Sequence, residues 1–470
     1  MSREKILLKN SIIYLIGNFG SRFLGILMLP LYTHYLNKEQ YGYFDLMITA
    51  IALLIPIITF QITDALYRYL LDSKDYKEKC RVITNSISIM ILNLIFVNLI
   101  FLIIFRFKKF DYQYLFLEQL DVSILYSVWI QVARGLKQNV LYSVSGFIFT
   151  VISLLSNIAM IVCLHFGIEA LILSNVFAST ITFVYVECKI RIFKYINFKL
   201  LSKKSKLKLI KFSLPLVPNA VGWWFMSASD RFLLNHYMGM EANGIYAIAN
   251  KFPSILIMLN FIFSLAWQES VITESKSKDN NEFNSKMFNL YVTIEFTGVI
   301  VLLAITKVIM RLLVDNSYYI AWRYIPFLYL GTIFSGFSVF YGASYLSSEK
   351  TLGSFYTSVI GAVINVIVNI CLIPLIGIQG AAFSTMLSFL AMWILRIVDT
   401  KKFFNISINV KPLLTLSTIT VIYTCLFYYE NIVLEAILVL LSIVIFVLYN
   451  KILLIKFKEA ILIKLKVLKR

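Results

Sequence analysis

Apolar runs of about 20 residues recur along the whole chain, separated by short polar breaks, and each can cross a hydrocarbon core as a helix. The first six runs cover 10–36, 41–70, 82–105, 113–133, 141–165 and 168–190. The next six cover 209–238, 243–272, 287–313, 321–346, 352–375 and 378–399, and a last pair covers 412–428 and 431–455. The pattern predicts an all-α polytopic membrane protein with about 14 transmembrane helices.

Two short echoes organise these spans. His34, Tyr35, Glu39 and Gly42 align without gaps on His236, Tyr237, Glu241 and Gly244, 202 residues later, each time in the turn between the first two spans of a group of six. Gly167 and Ile168 correspond to Gly377 and Ile378, at the turn between the fifth and sixth spans. Six spans return the chain to its starting side, so the halves are expected to be parallel repeats around a central cavity. The expected organisation is an N-terminal six-helix lobe over 1–200, a C-terminal six-helix lobe over 201–405, and an extra helix pair with a basic tail over 406–470.

Composition supports the membrane reading: 59% of residues are hydrophobic, 15% are charged, and the mean hydropathy is +0.80. Soluble domains carry about 25% charged residues, so this chain has too few to cover a soluble surface. The net charge of +19 would suit nucleic acid, but the basic residues lie between apolar runs, as cytoplasmic loops require. With the N-terminus inside, about 34 basic residues fall on the inner side against five outside (Lys38, Arg106, Lys108, Lys109, Arg311). Nine of the inner ones lie between Lys189 and Lys211, and Arg396, at the inner end of the span 378–399, is counted with them. Both termini are therefore expected in the cytoplasm. No cleavable signal is visible, and the five scattered cysteines have neither disulfide nor zinc spacing.

No phosphate loop, zinc-protease or nucleophile-elbow motif occurs, and no loop could hold a catalytic domain, so neither an enzyme nor a cofactor is expected. Ionisable residues inside apolar runs are more informative, because each costs about 2.5–3.5 kcal/mol at mid-membrane and should face a cavity or a partner. Arg22 stands near the middle of the first span, where it could line a cavity or serve structure alone. Asp230 and Lys251 lie at similar depths in spans seven and eight and could pair, leaving Arg231 free; a fixed ion pair and a ligand site are both open. Asp64 and Arg68 share one face of span two and Glu269 ends span eight, either as an inner gate or as snorkelling charges. Glu295, alone in span nine, is a candidate proton-coupling acid. Lys307 and Arg323 are expected at the interface near outer ends.

Arg22, Pro30, Leu31, Tyr32, Leu36, Tyr41 and Gly42 in the first half resemble the Wzx-type polysaccharide repeat-unit flippases. Pro215, Pro218, Asp230, Arg231, Gly244, Tyr246, Ala249 and Lys251 extend that resemblance into the second half. These flippases belong to the multidrug/oligosaccharidyl-lipid/polysaccharide exporter superfamily. The resemblance implies a bacterial inner-membrane protein that moves an undecaprenyl-diphosphate-linked oligosaccharide to the periplasmic leaflet, for O-antigen or capsule. It implies membrane lipids and polysaccharide assembly proteins as partners, H+ or Na+ as coupling ion, and no nucleic acid. Arg22 matches a basic position in the first helix of the related lipid II flippases, and Arg231 and Lys251 are the second-half candidates for substrate binding. Two alternatives stay open: an ion-coupled multidrug or cation antiporter of the same superfamily, and a membrane glycan polymerase or ligase.

Overall fold

The computed structural model describes residues 25–274, 280–348 and 350–468, and these are helical almost throughout, as the run pattern predicts. Among the described residues, eleven helices are long and apolar enough to cross a membrane, or twelve if the bent pair Met240–Ala249 and Pro253–Ser264 is one span. The expected seventh span is also a helix, Val217–Met238, but Asp230, Arg231 and its small polar residues keep its apolar content low. The first span lies mostly outside the described residues, and Arg22 with it. The protein is a multi-pass membrane protein.

Contacts divide the chain into two compact units, one of residues 1–251 with 365–381 and one of residues 252–364 with 382–470. The first contains α1 (Leu29–Tyr35), α2 (Lys38–Thr59), α3 (Ile62–Asp72), α4 (Tyr76–Phe107), α5 (Gln113–Gly135), α6 (Asn139–Ile158), α7 (Ile168–Ile190), α8 (Lys203–Ser213), α9 (Val217–Met238) and α10 (Met240–Lys251). Its core is aliphatic around one indole: Met90, Ile124, Val128 and Ile172 are buried with Trp129. Along the outside of α4, Leu92, Ile95, Phe96 and Leu99 are each more than half exposed. Such a stripe is costly in water and neutral in hydrocarbon.

Span two is interrupted. Phe60 and Gln61 both adopt the left-handed conformation (φ 51° and 52°), separating α2 from α3 without glycine. Backbone groups freed inside a membrane need protein partners. The Asn93 side chain on α4 donates to the Ile58 carbonyl at 2.8 Å, and the Thr59 hydroxyl bonds Ile55 O at 2.7 Å.

The second unit contains α11 (Pro253–Glu274), α12 (Asn280–Leu313), α13 (Ile325–Ser347), the first part of α14 (Thr351–Ile376), most of α15 (Ile378–Thr400), α16 (Val410–Phe427) and α17 (Ile432–Leu468). Stacked rings form its core: Trp267 and Phe340 lie 4.0 Å apart, and Phe263 and Tyr291 lie 4.3 Å apart. The Trp267 indole nitrogen donates to Phe340 O at 2.9 Å, so the polar end of the ring is satisfied within the core.

Candidate functional site

The two copies of the sequence motif meet inside the first unit. At the start of α2, Asn37 forms a reciprocal cap: it accepts from Gln40 N at 2.8 Å, and Gln40 Oε1 accepts from Asn37 N at 3.1 Å. The matching turn before α10 is made by Gly239 at φ 84°. From these starts α2 and α10 pack so closely that a Cβ on Gly42 would collide with the Met240 carbonyl, and one on Gly244 with the Lys38 carbonyl. Lys38 and Met240 occupy the same motif position, so the contact is reciprocal, as around a local two-fold axis. Only glycine permits this approach of two backbones. Fully buried Asn243 seals it by donating from Nδ2 to Gly42 O at 2.6 Å. The adjacent rings also repeat: His34 and Tyr35 are edge-to-face at 5.0 Å, His236 and Tyr237 at 4.9 Å.

Next to this contact lies a buried charge cluster. Asp45, three residues after Gly42, accepts from Arg231 Nε at 2.7 Å. The same guanidinium reaches Ser227 O at 3.0 Å and Asp230 Oδ1 at 3.5 Å. Asp230, 2% exposed, also accepts from the Tyr246 hydroxyl on α10. The Arg231 guanidinium lies 5.8 Å from the centre of the Tyr246 ring. The cluster therefore ties α2, α9 and α10 together. Arg231, a candidate for a free ligand-binding cation, is instead engaged by two carboxylates. Asp45 did not emerge as a candidate, although an acid inside an apolar run was the signal that would have found it.

Lys251 is half-buried at the end of α10, where Phe252 and Pro253 start a 51° bend into α11, and it is near enough to Tyr32 to act on it electrostatically. Tyr32 in turn accepts from Asn157 Nδ2 at 3.2 Å and lies 5.9 Å from the Tyr41 ring. Asp64 and Arg68 do not bond each other: Arg68 pairs with Asp72 at 3.3 Å in an exposed ion pair. Asp64 sits in the field of Arg134, whose guanidinium covers the Tyr67 ring at 4.3 Å. The Glu269 side chain lies outside the described residues.

In the second unit Glu295 is 2% exposed and accepts from Asn260 Nδ2 at 3.2 Å. Two expectations need correction here. Lys307 is 1% exposed, not interfacial: it lies 3.7 Å from Glu435, donates to Tyr429 O at 3.1 Å, and sits 4.1 Å above the Trp322 ring. Arg311 completes the cluster with two bonds to Glu435, at 2.6 and 2.7 Å. Glu435 belongs to α17, so this triad fastens the extra helix pair to α12. Glu435→Ala is expected to lower stability by about 3–5 kcal/mol, since it leaves a buried ammonium without its carboxylate. Thermal denaturation in micelles measures this, with Glu435→Gln falling between wild type and alanine.

Arg396, counted among the inner-side charges, is likewise not at the surface. It is 1% exposed within α15 and donates to Ser338 O at 2.5 Å, Ser358 Oγ at 3.0 Å and Thr357 Oγ1 at 3.1 Å. A guanidinium suits this role because its planar fork can serve several acceptors at once.

A family model described as polysaccharide biosynthesis protein matches residues 7–268, which include both motif copies and the charge cluster. The uncharacterised membrane protein MJ1068 of Methanocaldococcus jannaschii is 28% identical over 207 residues, 42% of this chain and 39% of that protein. The matched part thus spans well under half of that relative's length. Among solved structures, the lipid II flippase MurJ in its inward closed conformation aligns with a TM-score of 0.74 over 95% of this chain and 99% of that one, at 16% identity. An inward-facing multidrug resistance MATE family transporter of the MOP superfamily aligns with a TM-score of 0.65 over 88% of this chain and 96% of that one, at 11% identity. At these identities the likeness is one of fold, and the fold is that shared by the MurJ and MATE structures.

Proposed function

We propose, from the premise that this chain belongs to the polysaccharide biosynthesis protein family, that it is a flippase for a lipid-linked oligosaccharide. The substrate in this reading is an undecaprenyl-diphosphate-linked repeat unit of the Wzx type. It is moved by alternating access from the cytoplasmic to the outer leaflet of a bacterial inner membrane, for O-antigen or capsule. Both termini lie in the cytoplasm, because the basic residues concentrate on that side. Each motif copy opens the second span of one six-helix repeat, with the lobes over 1–200 and 201–405.

The observation that supports this reading most is the reciprocal glycine contact between the motif copies. It falls at the ends of α2 and α10 that the charge bias assigns to the outer side, so it closes that side. A carrier that must admit a large headgroup from the cytoplasm needs such a seal, and must part it for release. Arg22 and Lys251 are the substrate-side candidates, Arg231 and Asp230 clamp α2, α9 and α10, and Asp64, Arg68, Glu269 and Glu295 are the candidates for gating or coupling to H+ or Na+.

Proteoliposomes carrying a fluorescent undecaprenyl-diphosphate oligosaccharide test the proposal. Label in the inner leaflet should become accessible to an impermeant reductant faster than in protein-free vesicles; equal rates contradict it.

Buried carboxylates at Asp230 and Glu295, with half-buried Asp45 near Asp230, favour one second reading, an ion-coupled drug or cation antiporter. Under the flippase reading, expression gives cells no resistance to ethidium. Resistance that disappears in Glu295→Gln would favour the antiporter.

A further inference from the structure

The linker that joins the two six-span groups is pinned to the first unit. Asn85, fully buried on α4, donates to Leu200 O at 3.1 Å and accepts from Ser202 N at 3.0 Å. On the adjacent residue, the Thr84 hydroxyl accepts from Asn197 N at 2.9 Å. Lys206 donates to Ser88 Oγ at 2.8 Å. Ser202 then caps α8 by accepting from Ser205 N at 3.5 Å.

Between this linker and the facing ends of α3 and α4 lies a cavity of about 670 Å³. Four cations line it: Arg81, Lys199, Lys204 and Lys208. Two acids line it too, and both have other bonds: Asp72 pairs with Arg68 at 3.3 Å, and Glu78 accepts from Lys74 N at 3.3 Å. Among the described residues none of the four cations pairs with a carboxylate; Lys208 rests on the Tyr69 ring at 4.5 Å. Ser73, Ser202 and Ser205 line the same space, with the Ser73 hydroxyl donating to Tyr69 O at 2.7 Å, and the first turn of α8 adds the positive end of its dipole. A pocket with an excess of unpaired cations fits a phosphoryl group.

The surroundings select the source of that group. Phe198 is 76% exposed, and Phe193, Leu201 and Leu207 are exposed beside the lysines. Apolar side chains alternating with lysine suit a membrane surface. We propose that this pocket binds the phosphoryl headgroup of an anionic phospholipid of the cytoplasmic leaflet and thereby fixes the linker to the bilayer surface. The site is separate from the charge cluster of α2, α9 and α10 and stands without the flippase reading.

Native mass spectrometry of the full chain tests it, with phosphatidylglycerol, phosphatidylcholine and inorganic pyrophosphate as probes. Wild type should retain phosphatidylglycerol over phosphatidylcholine, and the double variant Lys204→Gln/Lys208→Gln should bind it roughly 30-fold more weakly, at about 1 kcal/mol per lysine. Lys204→Arg/Lys208→Arg should bind as wild type does, which separates lost charge from lost folding. Unchanged phosphatidylglycerol binding in the glutamine variant would overturn the site. Tighter binding of pyrophosphate than of phosphatidylglycerol would overturn the lipid source in favour of a soluble phosphate compound.

Discussion

Gly42→Ala and Gly244→Ala should each reduce oligosaccharide export at least tenfold while leaving membrane insertion intact. Each methyl group would enter the space of the opposing backbone, at Met240 in one case and Lys38 in the other. Backbone cannot rotate aside as a flexible side chain can, so the two helices must separate. Overpacking of this kind costs about 1–3 kcal/mol, enough to shift a closed-to-open equilibrium by roughly 5- to 150-fold. Because the contact is reciprocal, both substitutions should act alike. Gly146→Ala is the control, since its added Cβ meets nothing within 4 Å. If Gly42→Ala behaves like Gly146→Ala, the close approach of α2 and α10 has no role in transport.

The second large effect concerns Arg231. Arg231→Ala removes the cation shared by Asp45 and Asp230, leaving two carboxylates with little exposure (side chains 18% and 2% exposed). Stability should fall by about 3–5 kcal/mol, as when one partner of a buried pair is removed. The double variant Asp45→Asn/Arg231→Gln should recover part of that loss, giving a coupling above about 1 kcal/mol in a double-mutant cycle. A ligand-binding arginine would behave otherwise: Arg231→Ala would lose transport at unchanged thermal stability, and no coupling to Asp45 would appear. The cycle thus separates a helix clamp from a substrate contact.

The helices were legible because bilayer thickness imposes one length on every span, and the sequence meets it repeatedly. The interruption after Thr59 was not legible, since Phe60 and Gln61 carry no turn signature and only the surrounding contacts hold them left-handed. The break at Phe252 coincides with Pro253, which cannot continue the hydrogen-bond ladder. The motif echo identified equivalent positions, yet equivalence gives no distance, so the meeting of Gly42 and Gly244 emerged only from the structure. Charged residues were misjudged wherever the partner lay far along the chain. Lys307 has its carboxylate partner Glu435 on a helix outside the repeat, and Arg396, at the inner end of its span by sequence, is enclosed by Ser338 and Ser358. Depth in a run can be counted from sequence, whereas the facing side chain cannot.

In the proposed transport cycle the two motif copies close against one another at the outer side and part during turnover. Spin labels at Glu39 and Glu241, equivalent exposed positions in the two copies, report this directly in a background whose five native cysteines are replaced by alanine. Pulsed dipolar spectroscopy on the resting protein should give one short distance, and adding the lipid-linked oligosaccharide should populate a second, longer one, with Gly42→Ala populating it unaided. A single unchanged distance in protein that is actively transporting would contradict the account.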